Sequence, residues 1–314
     1  MTDFARGTVA LTGASGFVGA AIARRLAADG WRLRLLVRAG SEKRLPGLPN
    51  AQPVTGSLAD ADALKHLLCD ARFLVHCAGA VRGSRYADFE RVNVTGTQAL
   101  LDAAPPGLRI VHISSLAARH PQLSHYAASK RAGELRVLAA VPASRRVVLR
   151  PPAIYGPGDR ELRPLLDAML RGFALIPGPR GARFSLLHVD DLSGAVACLL
   201  SSDAGWGELH EPDDGFPGGY RWQDVLAAIA RLRGRPVRSL AVPGALLSAL
   251  GIGNELLSRL TGRVPMLSRG KARELRWPDW VAAGNASLAA TGWRPATGLD
   301  QGLADTLRPV PASR

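Results

Sequence analysis

The chain has 314 residues, 47% hydrophobic and 21% charged, enough for one large domain or a domain with a substantial lobe. Its three cysteines, Cys69, Cys77 and Cys198, show no metal spacing, which argues against a disulfide framework, and no secretory leader is visible, so a reducing, cytoplasmic setting is expected. The net charge of +14 comes almost entirely from scattered arginines, and aromatics, at 5%, do not interleave with them, so no nucleic-acid partner is expected; the charge would draw phosphates or acidic carriers.

The first half alternates short β-branched runs with longer helical patterns. "TVALTG" reads as a strand and "FVGAAIARRLAADG" as a helix ending at Gly30. "LRLLVR" is a second strand, "LADADALKHLLCD" a helix and "RFLVHCAG" a third, buried strand. "RVNVTGTQALLDAA" is a long helix, "RIVHISS" a strand, "YAASKRAGELRVLAA" a helix and "RRVVLRPPAIYG" a strand. This alternation predicts an α/β fold with a Rossmann-like, doubly wound parallel sheet. After Tyr155, Gly and Pro become frequent, and a smaller C-terminal substrate-binding lobe is expected. The division is 1–155 for the dinucleotide-binding domain, with a return near 184–202, and 156–183 plus 203–314 for the lobe. "VPGALLSALGIGNELLSRL" is interrupted by Gly251, Gly253, Asn254 and Glu255 and is too polar and short to span a bilayer. It reads as a core or lid helix, with a place on a membrane surface as the alternative.

Strand, "TGASGFVG", helix is the context that a dinucleotide fingerprint requires. Gly13 permits the turn out of the strand, Gly16 lets pyrophosphate approach the backbone, and Gly19 lets the helix pack on the sheet. The helix N-terminus offers free N–H groups and partial positive charge to the phosphates. A site for NAD(H) places Asp or Glu at the end of the second strand. Here Val37 and Arg38 stand there, with Ser41, Lys43 and Arg44 just beyond. A guanidinium suits a 2′-phosphate, so NADP(H) is the preferred cofactor, with NAD(H) the alternative.

"YAASK" puts Tyr126 and Lys130 four apart on one helix face, and Ser115 ends a strand eleven residues earlier. Ser, Tyr and Lys converging beside a nicotinamide make a proton-transfer site for carbonyl–alcohol chemistry. A free Tyr has a pKa of about 10, so Tyr126 would need a fall of roughly three units to act as a base near neutrality. A nearby ammonium and an oxidised nicotinamide both favour the phenolate.

At this point the chain resembles an extended short-chain dehydrogenase/reductase of the NAD-dependent epimerase/dehydratase superfamily. The resemblance rests on "TGASGFVG", "VHCAGAV", "NVTGT", "SSLAA", "YAASK", "LRPPAIYGPGD", "LHVDDL" and "LAATGWRPATGLDQGL", which cover most of the chain. Within it, the arginine-ended second strand and "FSLLHVDDL" look more like the 3β-hydroxysteroid dehydrogenase and dihydroflavonol reductase branches. The resemblance implies that Ser115 bonds the substrate carbonyl, that Tyr126 delivers or accepts its proton, and that Lys130 holds the nicotinamide ribose. It implies further cofactor contacts from Ser15, Phe17, Val18, Ser57, Leu58, Cys77, Ala78, Gly79, Ser114, Pro151 and Ile154. Asn93 would brace the site, and His188 with Asp190 would fix the lobe to the main domain. The sequence departs from the pattern at "GSLAD", which lacks an adenine-binding carboxylate, and at "SSLAARH". Ser114 is an alternative to Ser115.

His76, His112 and His188 lie in or beside apolar strands and read as core histidines, with no metal site expected. Trp206, Trp222, Trp277, Trp280 and Trp293, with "ELLSRL" and "VPML", suit either the core or a hydrophobic substrate such as a steroid-like, aromatic or acyl ketone. "GKARELRWPDWV" could clamp the phosphate of a CoA or carrier-protein thioester, or form a solvated basic helix. Three functions compete: an NADP(H)-dependent ketone reductase or alcohol dehydrogenase, an NAD-dependent sugar-nucleotide epimerase or dehydratase, and a catalytically silent NADPH-binding sensor or scaffold. Arg38 favours the first over the second, and the intact Ser115, Tyr126 and Lys130 oppose the third. The resemblance also implies a homodimer, paired through the helices that carry Asn93 and Tyr126.

Overall fold

The computed structural model describes residues 6–261 and 267–308. The N-terminal half lays down β1 (Thr8–Thr12), α1 (Phe17–Ala28), β2 (Arg32–Val37), β3 (Ala51–Thr55), α2 (Ala61–Leu68) and β4 (Ala71–His76). It continues through α3 (Tyr86–Glu90), α4 (Gly96–Asp102), β5 (Arg109–Ile113), α5 (His125–Ala140) and β6 (Arg146–Leu149). These strands and β11 (Leu209–His210) form one seven-stranded sheet in the order β11-β6-β5-β4-β1-β2-β3. Each neighbouring pair is parallel, as the βαβ crossovers demand.

Both faces of the sheet are covered, so its central strands β1 and β4 are largely apolar and buried. Val9, Leu11, Phe73 and Val111 meet Ile22 and Leu26 of α1 and the residues of α7 (Val189–Ser201). Ala10, Leu74 and Ile110 face the other way, against Leu64 and Leu67 of α2, Leu100 of α4 and Val137 of α5. The "FSLLHVDDLSGAVACLL" segment returns to the main sheet through α7, which packs along α1. Asp191 on α7 accepts from the Ala296 and Thr297 amides at 3.0 Å, and Trp293 donates from Nε1 to the Asp191 carbonyl at 2.9 Å. Thus Asp191, and not the exposed Asp190, holds the C-terminal segment, because only Asp191 lies on the buried side of the helix.

Two strands differ from expectation. β3 was not anticipated: Pro53 removes a ladder donor and its flanks are polar, which a sheet edge tolerates. The run "RRVVLRPPAIYG" is two strands, not one. Pro151 and Pro152 end β6, and β7 (Ala153–Tyr155) pairs instead with β10 (Leu186–His188).

The remaining elements are α6 (Arg163–Leu170), β8 (Phe173–Pro177), β9 (Arg183–Phe184), α8 (Trp222–Arg233) and β12 (Arg238–Val242), then α9 (Gly244–Thr261), α10 (Arg269–Arg276), β13 (Asp279–Trp280) and α11 (Leu299–Leu307). Tyr155, Leu166, Met169, Ile176, Ile229 and Leu303 form their own core. Trp206 and Trp293 pack against the main core and Trp222 against this second one. Val264, Pro265 and Met266 of "VPML" lie outside the described residues.

Candidate active site

The turn after β1 is built around glycine. Gly13 has φ +79, and a Cβ there would lie 2.8 Å from the Ala78 nitrogen and from the Cys77 carbonyl carbon. A Cβ on Gly19 would lie 2.2 Å from the Gly13 oxygen, so helix and turn touch backbone to backbone. Gly16 is the N-cap of α1 and brings no side-chain cap, and no acid occupies the first turn. The first-turn amides at Phe17, Val18 and Gly19 lack helical acceptors, which leaves an electropositive cradle beside Ser15. These features fit the pyrophosphate of a dinucleotide.

The end of β2 fits the rest of such a ligand. Arg38 is exposed and has no side-chain partner among the described residues, and Lys43 lies on the following turn (Glu42–Arg44). The turn after β3 holds Ser57, whose hydroxyl accepts from the Ala59 amide at 3.2 Å, and Leu58. The nearby carboxylate, Asp60, is committed to capping α2 through the Ala63 amide at 3.0 Å.

Behind the cradle runs a closed hydrogen-bond chain. Thr97 donates its hydroxyl to the Asn93 carbonyl at 2.8 Å, so its oxygen accepts from His76 Nε2 at 3.0 Å. His76 Nδ1 then accepts from the Thr12 hydroxyl at 2.7 Å, and Thr12 Oγ1 accepts from the Ala78 amide at 3.1 Å. Burial, followed by the Lys130 charge, lowers the His76 pKa to about 3, so the ring is neutral and fixed as one tautomer. The chain joins β1, the Cys77–Gly79 segment and the central helix. Burial pushes the Cys77 thiol up to about 12, which makes it unreactive. His112 stacks 5.2 Å from His76, and neither of its ring nitrogens has a partner among the described residues.

Asn93 sits in a single π-helical turn, Arg91–Thr95, between α3 and α4. Its amide accepts from the Ala80 nitrogen at 2.8 Å and donates to the Ala80 carbonyl at 3.0 Å and to Ser129 Oγ at 2.8 Å. It therefore clamps the segment after β4 to α5, the helix that carries "YAASK".

On α5, Tyr126, Lys130 and Glu134 follow at intervals of four and share a face. The Ser115 hydroxyl accepts from the Ala117 amide at 3.2 Å and lies near enough to the Tyr126 phenol to pull its pKa down. Lys130 Nζ donates to the Ile113 carbonyl at 2.8 Å, and a Cβ on Gly79 would lie 3.8 Å from it. Burial lowers the Lys130 pKa to about 8, against the pull of Cys77 and Glu134. The protein by itself raises the Tyr126 pKa; the expected fall rested on an ammonium together with an oxidised nicotinamide. Burial of the phenol dominates, and the nearby Ser115 hydroxyl and the Lys271 charge offset it only in part.

Ser114 is engaged elsewhere. Its hydroxyl donates to Glu134 at 2.6 Å, and Arg150 grips the same carboxylate through Nε and Nη2, each at 2.7 Å. Burial alone would raise Glu134, but these bonds hold its carboxyl below the usual range. The network runs on to Glu211, which Arg150 approaches at 3.5 Å and Arg119 of "SSLAARH" pairs with directly. Glu134 was not singled out in the sequence, although its spacing of four from Lys130 was a readable signal.

Pro151 accepts from the Leu116 amide at 2.9 Å, and Ile154 packs on the main core beside the cradle. Asp159 accepts from the amides of Glu161 and Leu162 and so shapes its own loop. The lobe closes on the site through α10: Ser124, the N-cap of α5, donates to Glu274, which also holds Lys271 at 3.2 Å. Trp277 and Trp280 pack around His120, at 4.4 and 5.6 Å. Lys271 is thus committed to an acid of its own helix. Among the described residues no group of His, Cys, Asp and Glu could hold a metal ion.

Comparison with known proteins agrees with this architecture. Residues 9–208 match the NAD dependent epimerase/dehydratase family. The chain is 37% identical over 308 residues to the ceramide reductase of Caulobacter vibrioides, covering 98% of this chain and 95% of that protein. It is 28% identical over 330 residues to the 2-alkyl-3-oxoalkanoate reductase of Stenotrophomonas maltophilia, covering 94% and 97%. The dTDP-glucose 4,6-dehydratase of Bacillus anthracis, solved with NAD, shares the fold at a TM-score of 0.70 and 17% identity, covering 95% of this chain and 94% of that one.

Proposed function

This chain belongs to the NAD dependent epimerase/dehydratase family and is an NAD(P)-dependent oxidoreductase; we propose that it uses NADP(H) to interconvert a ketone and a secondary alcohol on a long-chain, lipid-like acyl substrate. The observation that carries this reading is the alignment of Tyr126 with the buried Lys130 on one face of α5, with Lys130 Nζ bonded to the Ile113 carbonyl two residues before Ser115. The substrate class follows the ceramide reductase relative, which matches nearly the whole chain, lobe included. The similarity to the 2-alkyl-3-oxoalkanoate reductase favours an acyl ketone in the same way.

A nicotinamide cofactor supplies the hydride. The residues of this chain handle the proton and the geometry. The Ser115 hydroxyl orients the carbonyl oxygen, and Tyr126 gives that oxygen its phenolic proton. Burial keeps Tyr126 protonated at neutral pH, which is the form that reduction consumes. Lys130 bears its ammonium below pH about 8 and lies beside the Gly79 backbone, where it would hold ribose hydroxyls. Arg38 and Lys43 would take the 2′-phosphate.

The test is titration of nucleotide-free protein with NADPH and NADH, repeated on Arg38→Ala. The reading expects NADPH to bind more tightly and the substitution to weaken it by roughly tenfold to a hundredfold, with NADH unchanged. NADPH consumption is then followed with a long-chain acyl ketone, a CoA thioester and a nucleotide sugar. Equal or tighter binding of NADH, with turnover of the nucleotide sugar alone, overturns the reading in favour of an epimerase or dehydratase.

A further inference from the structure

The outer surface of the lobe is apolar without being covered. In the β8–β12 ribbon, Phe173 pairs with Arg238 and Leu175 with Leu240. Ala174 and Ile176 point into the lobe core, so the alternating Phe173 and Leu175 point outward, 48% and 49% exposed. Leu240 beside them is 60% exposed. Two residues after β12, α9 begins, with one side buried and an apolar stripe left outside. Leu247, Gly251 and Ser258 are buried, whereas Leu246, Leu250 and Leu257, about a quarter turn round the helix, are 50%, 48% and 57% exposed. Spacings of four and seven put those three leucines on one stripe. A lone exposed leucine is ordinary, but a sheet face and a helix stripe side by side are not.

The charge around the ribbon and the first half of α9 has one sign; Glu255, further along the helix, is held by the Arg269 amide at 2.8 Å. No Asp or Glu occurs anywhere in residues 168–189 or 225–254, the two stretches that build the ribbon and the first half of α9. Arg171, Arg180, Arg235 and Arg238 lie there exposed. Arg180 also lines a 520 Å³ cleft with Val242, Gly244 and Arg276, where the ribbon, α9 and α10 meet. A second copy of the chain would bring the same carboxylate-free surface and repel it. An anionic lipid surface complements both the leucines and the arginines.

The face also leads to the site. At the far end of α9, next to Leu257, Ser258 Oγ hydrogen-bonds Ser84 Oγ at 2.7 Å. Ser84 belongs to the segment after β4 that Asn93 holds at Ala80. Val81 on that segment is 60% exposed. The far end of α9 therefore abuts the segment that Asn93 clamps to α5, the helix that carries Tyr126.

We propose that the Phe173–Leu175–Leu240 face and the Leu246–Leu250–Leu257 stripe dock this protein onto an anionic bilayer, so that a lipid ketone reaches the active site along α9. The docking contact is independent of the lipid-ketone reading; only its purpose rests on it. No helix among the described residues is long and apolar enough to cross a membrane, so the contact is interfacial.

The full chain is floated with vesicles of phosphatidylcholine alone, or of phosphatidylcholine and phosphatidylglycerol in equal parts, without cofactor or substrate. Binding to the anionic vesicles is expected, weakened by salt and by roughly tenfold or more in the triple variant Leu240→Ser/Leu246→Ser/Leu250→Ser. Arg180→Gln/Arg238→Gln is expected to retain its fold and to lose most of the preference for phosphatidylglycerol. NADPH affinity, read on each variant, reports whether the fold survives and is expected to be unchanged. Absence of binding to either vesicle overturns the proposal, as does a triple variant that binds like the parent. A parent dimer that the triple variant converts to monomer shows a copy–copy interface, and retention on an acyl-carrier protein without vesicle binding shows a protein partner; either outcome also overturns it. Failure on vesicles leaves ketone reduction in detergent untouched, so the two readings fall separately.

Discussion

The buried Glu134 of α5 receives both arms of the Arg150 guanidinium, Nε–H to Oε1 and Nη2–H to Oε2, each at 2.7 Å. Arg150 follows β6 directly, and Ser114 at the end of β5 donates to the same carboxylate, so the helix bearing Tyr126 and Lys130 is bolted to two strands at once. Glu134→Ala leaves the buried Arg150 guanidinium without its bidentate partner, with only the 3.5 Å approach to Glu211 remaining. Stability to urea should fall by about 3–5 kcal/mol, with the loss of turnover exceeding the loss of cofactor affinity. A loss below about 1 kcal/mol would show that the pair does not hold α5.

Tyr126→Phe removes the proton and little else, since the ring also packs 6.2 Å from Phe89. NADPH-dependent turnover should fall by about 10²–10⁴-fold while NADPH affinity changes by less than about twofold. Retained turnover would move the proton transfer to another group.

Lys130 titrates at about 8, below its unfolded value of 10.5, because burial disfavours the ammonium. Cofactor affinity should therefore decline as pH rises through about 8, and Lys130→Met should remove that inflection. A lowered folded pKa in a base means that the unfolded chain holds the proton more tightly, so the ammonium costs stability at neutral pH. Lys130→Met should accordingly raise the Tm at pH 7 while weakening NADPH binding. A fall in Tm would show that the bond to the Ile113 carbonyl outweighs the desolvation.

His76 follows the same sign. Its folded value of about 3 lies below the ordinary 6.5, so its contribution is fully present above pH 6.5 and is lost as pH falls towards 3. Between pH 6.5 and 4.5 it should remove about 2–3 kcal/mol of stability, read as a falling Tm. His76→Gln, which can still reach one threonine, should be less stable at pH 7 and show a flatter pH profile. An unchanged profile would place the titration elsewhere.

Much was legible before any coordinates. The alternation of strands and helices specified the parallel sheet, because a period of two and a period near 3.6 are imposed residue by residue. Gly13 and Gly19 were readable because their demand for a missing Cβ is local to the turn and its helix. "YAASK" was readable because i and i+4 share a helix face in any context. β3 was not, since Pro53 and its polar flanks are tolerated only by an edge that the sequence does not mark.

What the sequence by itself determined is the cradle and the spacing of Tyr126 and Lys130, for both are set by chain-local geometry. The tertiary structure decided the rest. Burial, which sums over the whole fold, sends the Tyr126 pKa up against the pull of the Lys271 charge. It gave Ser114 to Glu134 and assigned the bracing role to Asp191 over Asp190, because which of two adjacent side chains faces inward depends on elements that pack from far along the chain. It also left Leu246, Leu250 and Leu257 of α9 on the outside, a distinction that hydrophobicity alone cannot make, since an apolar residue reads the same whether a core or a lipid surface covers it.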